Sequence, residues 1–232
     1  MIFIVFHSRA DNRSDIYQIY LNGSLQKWKI IIDQLNKKQE KSNEQLIELV
    51  DLQYGYIGGS IETNRKDEAS AYLKLLEENI KILEAKNYKL SMVIAYKAAM
   101  YGYRIGLNHF MAPIWGPKSS DCANRAVQLD PNNAFAYIQL GNVRFHSPSL
   151  MGGSKSEAIE LYLKAKSLME NNVSEVHGNW NYLNLLVTLA KCYTSTEDYS
   201  KAKSVYEDIL GLEPDFRSVK EILLPELMKK MK

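Results

Sequence analysis

The chain has 232 residues, of which 46% are hydrophobic and 24% charged, a composition typical of a folded domain rather than a disordered chain. Its 29 basic and 27 acidic side chains leave a net charge of +2, so the overall charge gives no reason to expect nucleic acid or an anionic membrane as the main partner. The sequence contains no run of about 20 apolar residues that could cross a bilayer.

The chain begins with a short apolar run, Met1–Phe6, followed by a polar segment. A secretory signal needs a basic region and an apolar core of about 7–15 residues, and this run lacks the first and is short for the second. We therefore interpret residues 1–12 as the end of an apolar leader or as a disordered N-terminus. The leader predicts a periplasmic or secreted protein, and the cytoplasm is the alternative.

Apolar residues then recur at helical spacing, and no alternating pattern typical of strands and hairpins is present. The sequence predicts an all-α protein. Residues 13–43 are predicted to form an N-terminal capping helix, which Gly23 kinks or breaks, and residues 215–232 a C-terminal capping helix that Pro225 kinks or interrupts. The predicted helices cover 14–38, 44–57, 66–85, 88–107, 118–129, 133–146, 155–170, 178–195, 198–211 and 216–231.

Small and large side chains recur at matched positions in successive helix pairs between residues 44 and 214. The small ones allow two helix backbones to approach, and the large ones fill the space between pairs. The most regular match comprises Leu186, Leu189, Ala190 and Tyr193 on one helix and Ala202, Tyr206, Ile209 and Pro214 after it. A looser match comprises Tyr137, Leu140 and Gly141, then Ala158, Tyr162 and Ala165.

This pattern resembles the tetratricopeptide-repeat (TPR) family, and looks like the degenerate repeats of uncharacterised bacterial members. The resemblance implies a right-handed α-solenoid of about four helix pairs between the two capping helices, and a non-enzymatic scaffold that binds a protein or peptide. A generic helical bundle with coincidental spacing is the alternative fold.

In this family the first helix of each pair, helix A, lines a concave face. An extended peptide or an inserted helix suits such a face, and the competing interpretation is that these side chains only pack against the neighbouring helix A. The residues that map to it are Met92, Tyr96, Tyr103, Phe135, Ile138, Asn142 and Lys191.

The linkers inside the first three pairs are predicted to be long loops, Gly55–Arg65, Asn108–Pro117 and Ser147–Gly153, lying side by side on one edge. Their apolar content has two interpretations: the loops cover exposed helix ends, or they close over a small-molecule pocket in a protein of an exported bacterial system. In the second, the loop wall contains His109, Trp115 and His146.

No catalytic or metal motif is present: the four histidines have no metal-ligand spacing, and no nucleophile elbow occurs. Cys122 and Cys192 are predicted to be free thiols, with a disulfide as the less favoured alternative. The glycine-rich turn before Lys155 lacks the full phosphate-loop spacing, and a capping box at Ser154 and Glu157 explains it better. We predict no enzyme activity, no cofactor and no metal; the oligomeric state is not determined by the sequence.

Overall fold

The computed structural model describes residues 9–232, with side chains from residue 13 onward; the apolar run Met1–Phe6 and its predicted role as a leader lie outside them. All regular secondary structure in this part of the chain is helical, as predicted. The helices are α1 (Arg9–Asn22), α2 (Leu25–Asn36), α3 (Asn43–Glu62), α4 (Lys66–Ala85), α5 (Leu90–Leu107), α6 (Ala112–Leu129), α7 (Ala134–His146), α8 (Lys155–Glu170), α9 (Val173–Val176), α10 (Trp180–Ser195), α11 (Tyr199–Leu212) and α12 (Leu224–Lys230).

The chain divides into two compact units. The central unit, Ile32–Leu168, contains the helix pairs α3/α4, α5/α6 and α7/α8. The terminal unit joins the N-terminal residues through Ile31 to Met169–Lys232 and contains the pair α10/α11. The four predicted helix pairs are therefore all present.

Helices of the central unit alternate in direction. Ser91 at the start of α5 donates a hydrogen bond to the carbonyl of Ala126 at the end of α6, and Ser119 donates to the carbonyl of Ala98. The Asn133 amide just before α7 donates to the Ser91 hydroxyl, so α5 and α7 run the same way. The α5–α6 and α7–α8 turns consequently lie at the same end of the helices, which the repeat pattern predicted.

Small residues lie where helices approach most closely. Ala69, Ala123, Ala126, Ala158 and Ala165 are completely buried in the central unit. A methyl group at these positions fills the narrow space between helices without separating their backbones, so each apolar stripe is buried by its neighbours.

The predicted N-terminal capping helix is two helices in the structure. Gly23 takes φ +67°, a left-handed conformation that ends α1, and α2 begins two residues later. In the terminal unit this segment packs against α10: the Trp28 and Trp180 rings meet edge to face with centroids 5.1 Å apart. Contact between the N-terminal segment and the last repeat was not predicted.

Two of the three predicted loops are helical. Helix α3 continues through Gly55 to Glu62, which leaves a turn of three residues before α4, and α6 begins at Ala112. The prediction failed at α3 because Gly58 is needed for packing: a Cβ there would lie 3.0 Å from the Tyr103 hydroxyl. It failed at α6 because Pro113 occupies the first turn, where a proline removes no helical hydrogen bond.

The third predicted loop is present. Between α7 and α8 the chain makes one 3-10 turn, Ser149–Met151, before Ser154 caps α8 by accepting a hydrogen bond from the Glu157 amide at 3.2 Å. The Glu157 side chain, predicted to complete a capping box, instead accepts from Arg144 at 2.8 Å. At the C-terminus a π-helical turn, Val219–Leu223, runs directly into α12, whose first turn contains Pro225, so the predicted helix departs from α-helical geometry just before this proline.

Candidate functional site

Aromatic rings from three A helices pack together inside the central unit. The Tyr54 ring of α3 meets the Tyr96 ring of α5 with centroids 5.7 Å apart and the Phe135 ring of α7 at 5.2 Å, both edge to face. Tyr96 and Phe135 are 4.3 Å apart. All three side chains are buried, and we call them the aromatic floor. The floor holds α3, α5 and α7 in register.

Polar side chains along the same helices form a hydrogen-bonded network over this floor. Tyr96 donates to Asp51 Oδ1 at 2.6 Å, and Tyr103 donates to the backbone carbonyl of Tyr54 at 3.0 Å. That carbonyl is accessible because Gly58, one turn further along α3, has no side chain to cover it.

The network continues onto α7 and α8. Gln139 donates to the Tyr54 hydroxyl at 3.2 Å and accepts from the Asn142 amide at 3.2 Å. Asn142 Oδ1 in turn accepts from Tyr162 at 2.9 Å. Each polar group therefore has its orientation set by its neighbours, and polar side chains of Asp51, Tyr103 and Asn142 are half-buried.

The phenols of this network are neutral at physiological pH. Burial raises the pKa of Tyr96 well above its usual value, and the Asp51 carboxylate adds to the effect. Burial and the neighbouring Tyr54 raise the pKa of Tyr103 in the same direction. Protonated phenols can donate hydrogen bonds, so both keep the bonds described above.

The predicted peptide-binding residues separate into two groups. Tyr96, Phe135 and Ile138 are buried, and the Tyr54 ring packs against the first two. Met92, Tyr103 and Asn142 are half-buried, so part of each side chain reaches the surface. With Asp51, these three define what we call the helix-A face. Lys191 is exposed on α10 in the terminal unit.

Sequence reasoning missed three members of the network, Asp51, Tyr54 and Gln139. Asp51 and Tyr54 are three residues apart, as are Gln139 and Asn142, the spacing that brings side chains to the same side of a helix. This signal was available, because both pairs lie within the predicted helices 44–57 and 133–146.

The three predicted loop-wall residues lie at the end of the central unit that carries the α5–α6 and α7–α8 turns. His109 and His146 are exposed, and Trp115 is half-buried in the first turn of α6. Large apolar side chains are exposed beside them: Phe110 by 94%, Leu150 completely, Met151 by 58% and Ile114 by 51%. We call residues 108–118 and 144–156 the turn edge. Its four exposed apolar side chains do not fold back over the core.

Trp115 is held between an aromatic ring and two cations. Its ring stacks on Tyr101 with centroids 5.3 Å apart and planes 13° from parallel. The Arg104 guanidinium and the Lys118 ammonium each lie 4.6 Å from the Trp115 ring centroid. Arg104 is also paired with Glu77 at 2.5 Å. The indole is therefore an ordered, cation-flanked side chain at the border of the exposed apolar group.

Residues 9–232 contain no cluster of three or more His, Cys, Asp or Glu side chains arranged to hold a metal ion. Cys122 and Cys192 are free thiols, as predicted. No helix in the described part of the chain combines the length and apolar character needed to span a bilayer.

Antiparallel helix pairs with small residues at their contacts define an all-α protein of the helical-hairpin repeat class. Residues 183–216, which cover most of α10 and α11, match the family model described as Tetratricopeptide repeat. The last helix pair therefore has the sequence pattern of a TPR repeat.

Among solved structures, the chain is similar to one described as the HusA haemophore from Porphyromonas gingivalis. The TM-score is 0.60 at 14% identity, and the match covers 82% of this chain and 97% of that one. At this identity the likeness supports the all-helical fold. No curated protein matches the sequence.

Proposed function

We propose that this protein is a non-enzymatic interaction module that binds an extended peptide segment of a protein partner on the helix-A face. The observation that carries the proposal is the row of half-buried polar side chains from α3, α5 and α7, Asp51, Tyr103 and Asn142, fixed by hydrogen bonds above the aromatic floor.

Fixed orientation is what makes this face suited to peptide binding. A peptide backbone presents N–H and C=O groups at regular intervals, and it is bound more tightly when the protein groups are already ordered. Carboxylate, phenol and amide groups supply both donors and acceptors, and Met92 adds a flexible apolar contact beside them.

The experiment is affinity capture of partners from the native host with the full chain, followed by measurement of affinity for the peptide identified. We expect Met92→Glu and Asn142→Ala each to weaken binding by about tenfold, since each removes or opposes one direct contact. Lys74→Ala, an exposed residue on α4, is the matched control. Circular dichroism melts confirm that each variant is folded.

Equal affinity of the folded Met92→Glu, Asn142→Ala and Lys74→Ala variants would reject the helix-A face as the binding surface. The sequence also predicts a contact by Lys191 in the terminal unit, and Lys191→Ala tests this prediction in the same assay.

A second candidate function is binding of a small molecule at the turn edge. The similar solved structure is described as a haemophore, and we propose haem as the ligand class to test. His109, His146 and Met151, exposed on adjacent turns, are side-chain types that ligate haem iron. Titration with haemin should shift the Soret band, and His109→Ala with His146→Ala should abolish the shift. An unchanged spectrum would remove this candidate.

Export of the protein stays a prediction, which cell fractionation would test.

A further inference from the structure

The turn edge concentrates large apolar side chains in water. Phe110 and Leu150 project almost completely from two separate turns, with Ile114 and Met151 beside them. Scattered single apolar residues are normal on a surface, but a group on adjacent turns points to a binding surface. This group does not belong to the helix-A face, so its role is separate from the peptide binding proposed there, although it lies on the same turns as the second candidate function.

Within the two segments of the turn edge the charged side chains are basic. Residues 108–118 and 144–156 contain no Asp or Glu, whereas they include Lys118, Arg144 and Lys155 together with His109 and His146. Arg144 pairs with Glu157, and the side chains of Lys118 and Lys155 are exposed. The α3–α4 turn at the same end has mixed charge. Its cations and the acids that flank them are Arg65, Lys66, Glu62, Asp67 and Glu68. The basic character is therefore local to the apolar group.

Trp115 lies between the apolar and the basic parts of the turn edge. Its indole stacks on Tyr101 and is flanked by Lys118 and Arg104. Tryptophan and tyrosine next to lysine or arginine are enriched where proteins meet the headgroup layer of a bilayer, since such rings are apolar with one polar atom.

We propose that the turn edge docks the protein peripherally on an anionic lipid surface. Phe110, Leu150, Met151 and Ile114 would enter the headgroup–acyl boundary, while Lys118 and Lys155 contact lipid phosphates. A lipid surface fits better than a peptide because Phe110 and Leu150 project almost completely into solvent, and a deformable medium accepts such side chains without a matching groove. Charge complementarity selects anionic lipid, since each lysine near such a surface strengthens binding several-fold.

The test is co-sedimentation of the full chain with unilamellar vesicles of phosphatidylcholine containing phosphatidylglycerol, compared with phosphatidylcholine alone. We expect binding to the anionic vesicles. The double variant Phe110→Ser/Leu150→Ser should lower the partition coefficient about 20-fold or more, because two exposed apolar side chains no longer enter the bilayer. Both side chains are exposed, so the substitutions leave the core unchanged.

The matched control is Ile82→Ser/Leu129→Ser. These side chains are 42% and 44% exposed at the C-terminal ends of α4 and α6, the opposite end of the helices. We expect this variant to bind vesicles as the wild type does. Lys118→Glu/Lys155→Glu should reduce binding to anionic vesicles about tenfold or more at low salt, and the difference should shrink as salt is raised.

Three results would overturn the proposal. The first is wild-type protein that remains in solution with anionic vesicles. The second is equal loss of binding in the control and the turn-edge variants. The third is a combined result: the wild type self-associates in sedimentation velocity, Phe110→Ser/Leu150→Ser abolishes this self-association, and no variant binds vesicles. A second copy of the chain would then cover the turn edge. None of these results bears on the helix-A face, whose variants are different residues.

Discussion

Gly141 lies directly against the ring of Tyr162. A Cβ added to Gly141 would be 2.5 Å from Tyr162 Cε1 and 2.8 Å from Cδ1, distances that real Cβ atoms do not adopt. The ring cannot move aside easily, because Tyr162 is completely buried and its hydroxyl donates to Asn142 at 2.9 Å. The absence of a side chain at Gly141 therefore sets how closely α7 and α8 approach.

Gly141→Ala is expected to destabilise the protein by about 1–3 kcal/mol, because the added methyl group overpacks the contact with Tyr162. This loss outweighs the gain of about 1 kcal/mol that alanine brings to a helix. Urea denaturation followed by circular dichroism measures it. The control is Gly102→Ala in α5, an exposed glycine with no atom within 4 Å of the added Cβ, which should be neutral or slightly stabilising. Similar urea midpoints for Gly141→Ala and Gly102→Ala would contradict the close contact between Gly141 and Tyr162.

The two glycines of the α7–α8 turn should differ in their tolerance. A Cβ on Gly153 would lie 1.9 Å from the Ser147 carbonyl oxygen, so Gly153→Ala must open the turn, at an expected cost of about 2 kcal/mol or more. Gly152 has free space but takes φ +82°, so Gly152→Ala should cost about 1 kcal/mol. Thermal melts of both variants, with Gly116→Ala as the unhindered control, show which of the two substitutions destabilises the protein more. The reverse order would show that the turn has another conformation.

Truncation of Trp28 should destabilise the terminal unit. The Trp28 ring is 3% exposed and packs edge to face on Trp180, with Tyr20 at 6.3 Å. Trp28→Ala removes a large buried ring, and the expected loss is about 3–5 kcal/mol. Ile30→Ala, on the same helix but half-exposed, should cost less than about 1 kcal/mol. Chemical denaturation monitored by tryptophan fluorescence compares them, and equal losses would disprove the contact with α10.

Stability should decline at alkaline pH because buried tyrosines resist ionisation. Burial, with the charge of Glu226, raises the pKa of Tyr206 to about 12 from its usual 10. Burial and the hydrogen bond to Glu68 raise the pKa of Tyr56 to about 12. Since the folded pKa is the higher one, the stabilising contribution of each phenol is complete below pH 10 and is lost between pH 10 and about 12.

Each such tyrosine should lower the free energy of unfolding by about 1.4 kcal/mol per pH unit in this range. Tyr206→Phe removes one ionisable group, so its stability should fall less steeply than that of the wild type above pH 10, while the two proteins behave in parallel between pH 7 and 9. Urea titrations at stepped pH test this. Identical alkaline slopes would mean that Tyr206 ionises freely in the folded state.

Local patterns in the sequence were sufficient for the helix pairs. Tyr137 to Ala165 and Leu186 to Pro214 carry the spacing of two hairpins, and the structure has α7/α8 and α10/α11 there. Glycine and proline positions were insufficient to locate the loops, since Gly58 and Pro113 have roles in packing and in the first helical turn that depend on their surroundings.

The candidate site was predicted only in outline. Helical spacing placed Tyr96, Phe135 and Asn142 on A helices, but it could not show that the ring of Tyr54 covers the first two. Burial depends on what approaches from another helix, so the division between the aromatic floor and the helix-A face required the tertiary structure.

By itself the sequence determined the all-α class, the four helix pairs and their small-residue contacts, because these follow from the spacing of side chains along single helices and hairpins. Only the tertiary structure decided that the N-terminal helices join the last repeat, that α3 and α6 extend through the predicted loops, and that Phe110 and Leu150 project into solvent. Those features depend on whether residues far apart in the chain come into contact. The spacing of side chains along one helix does not predict such contacts.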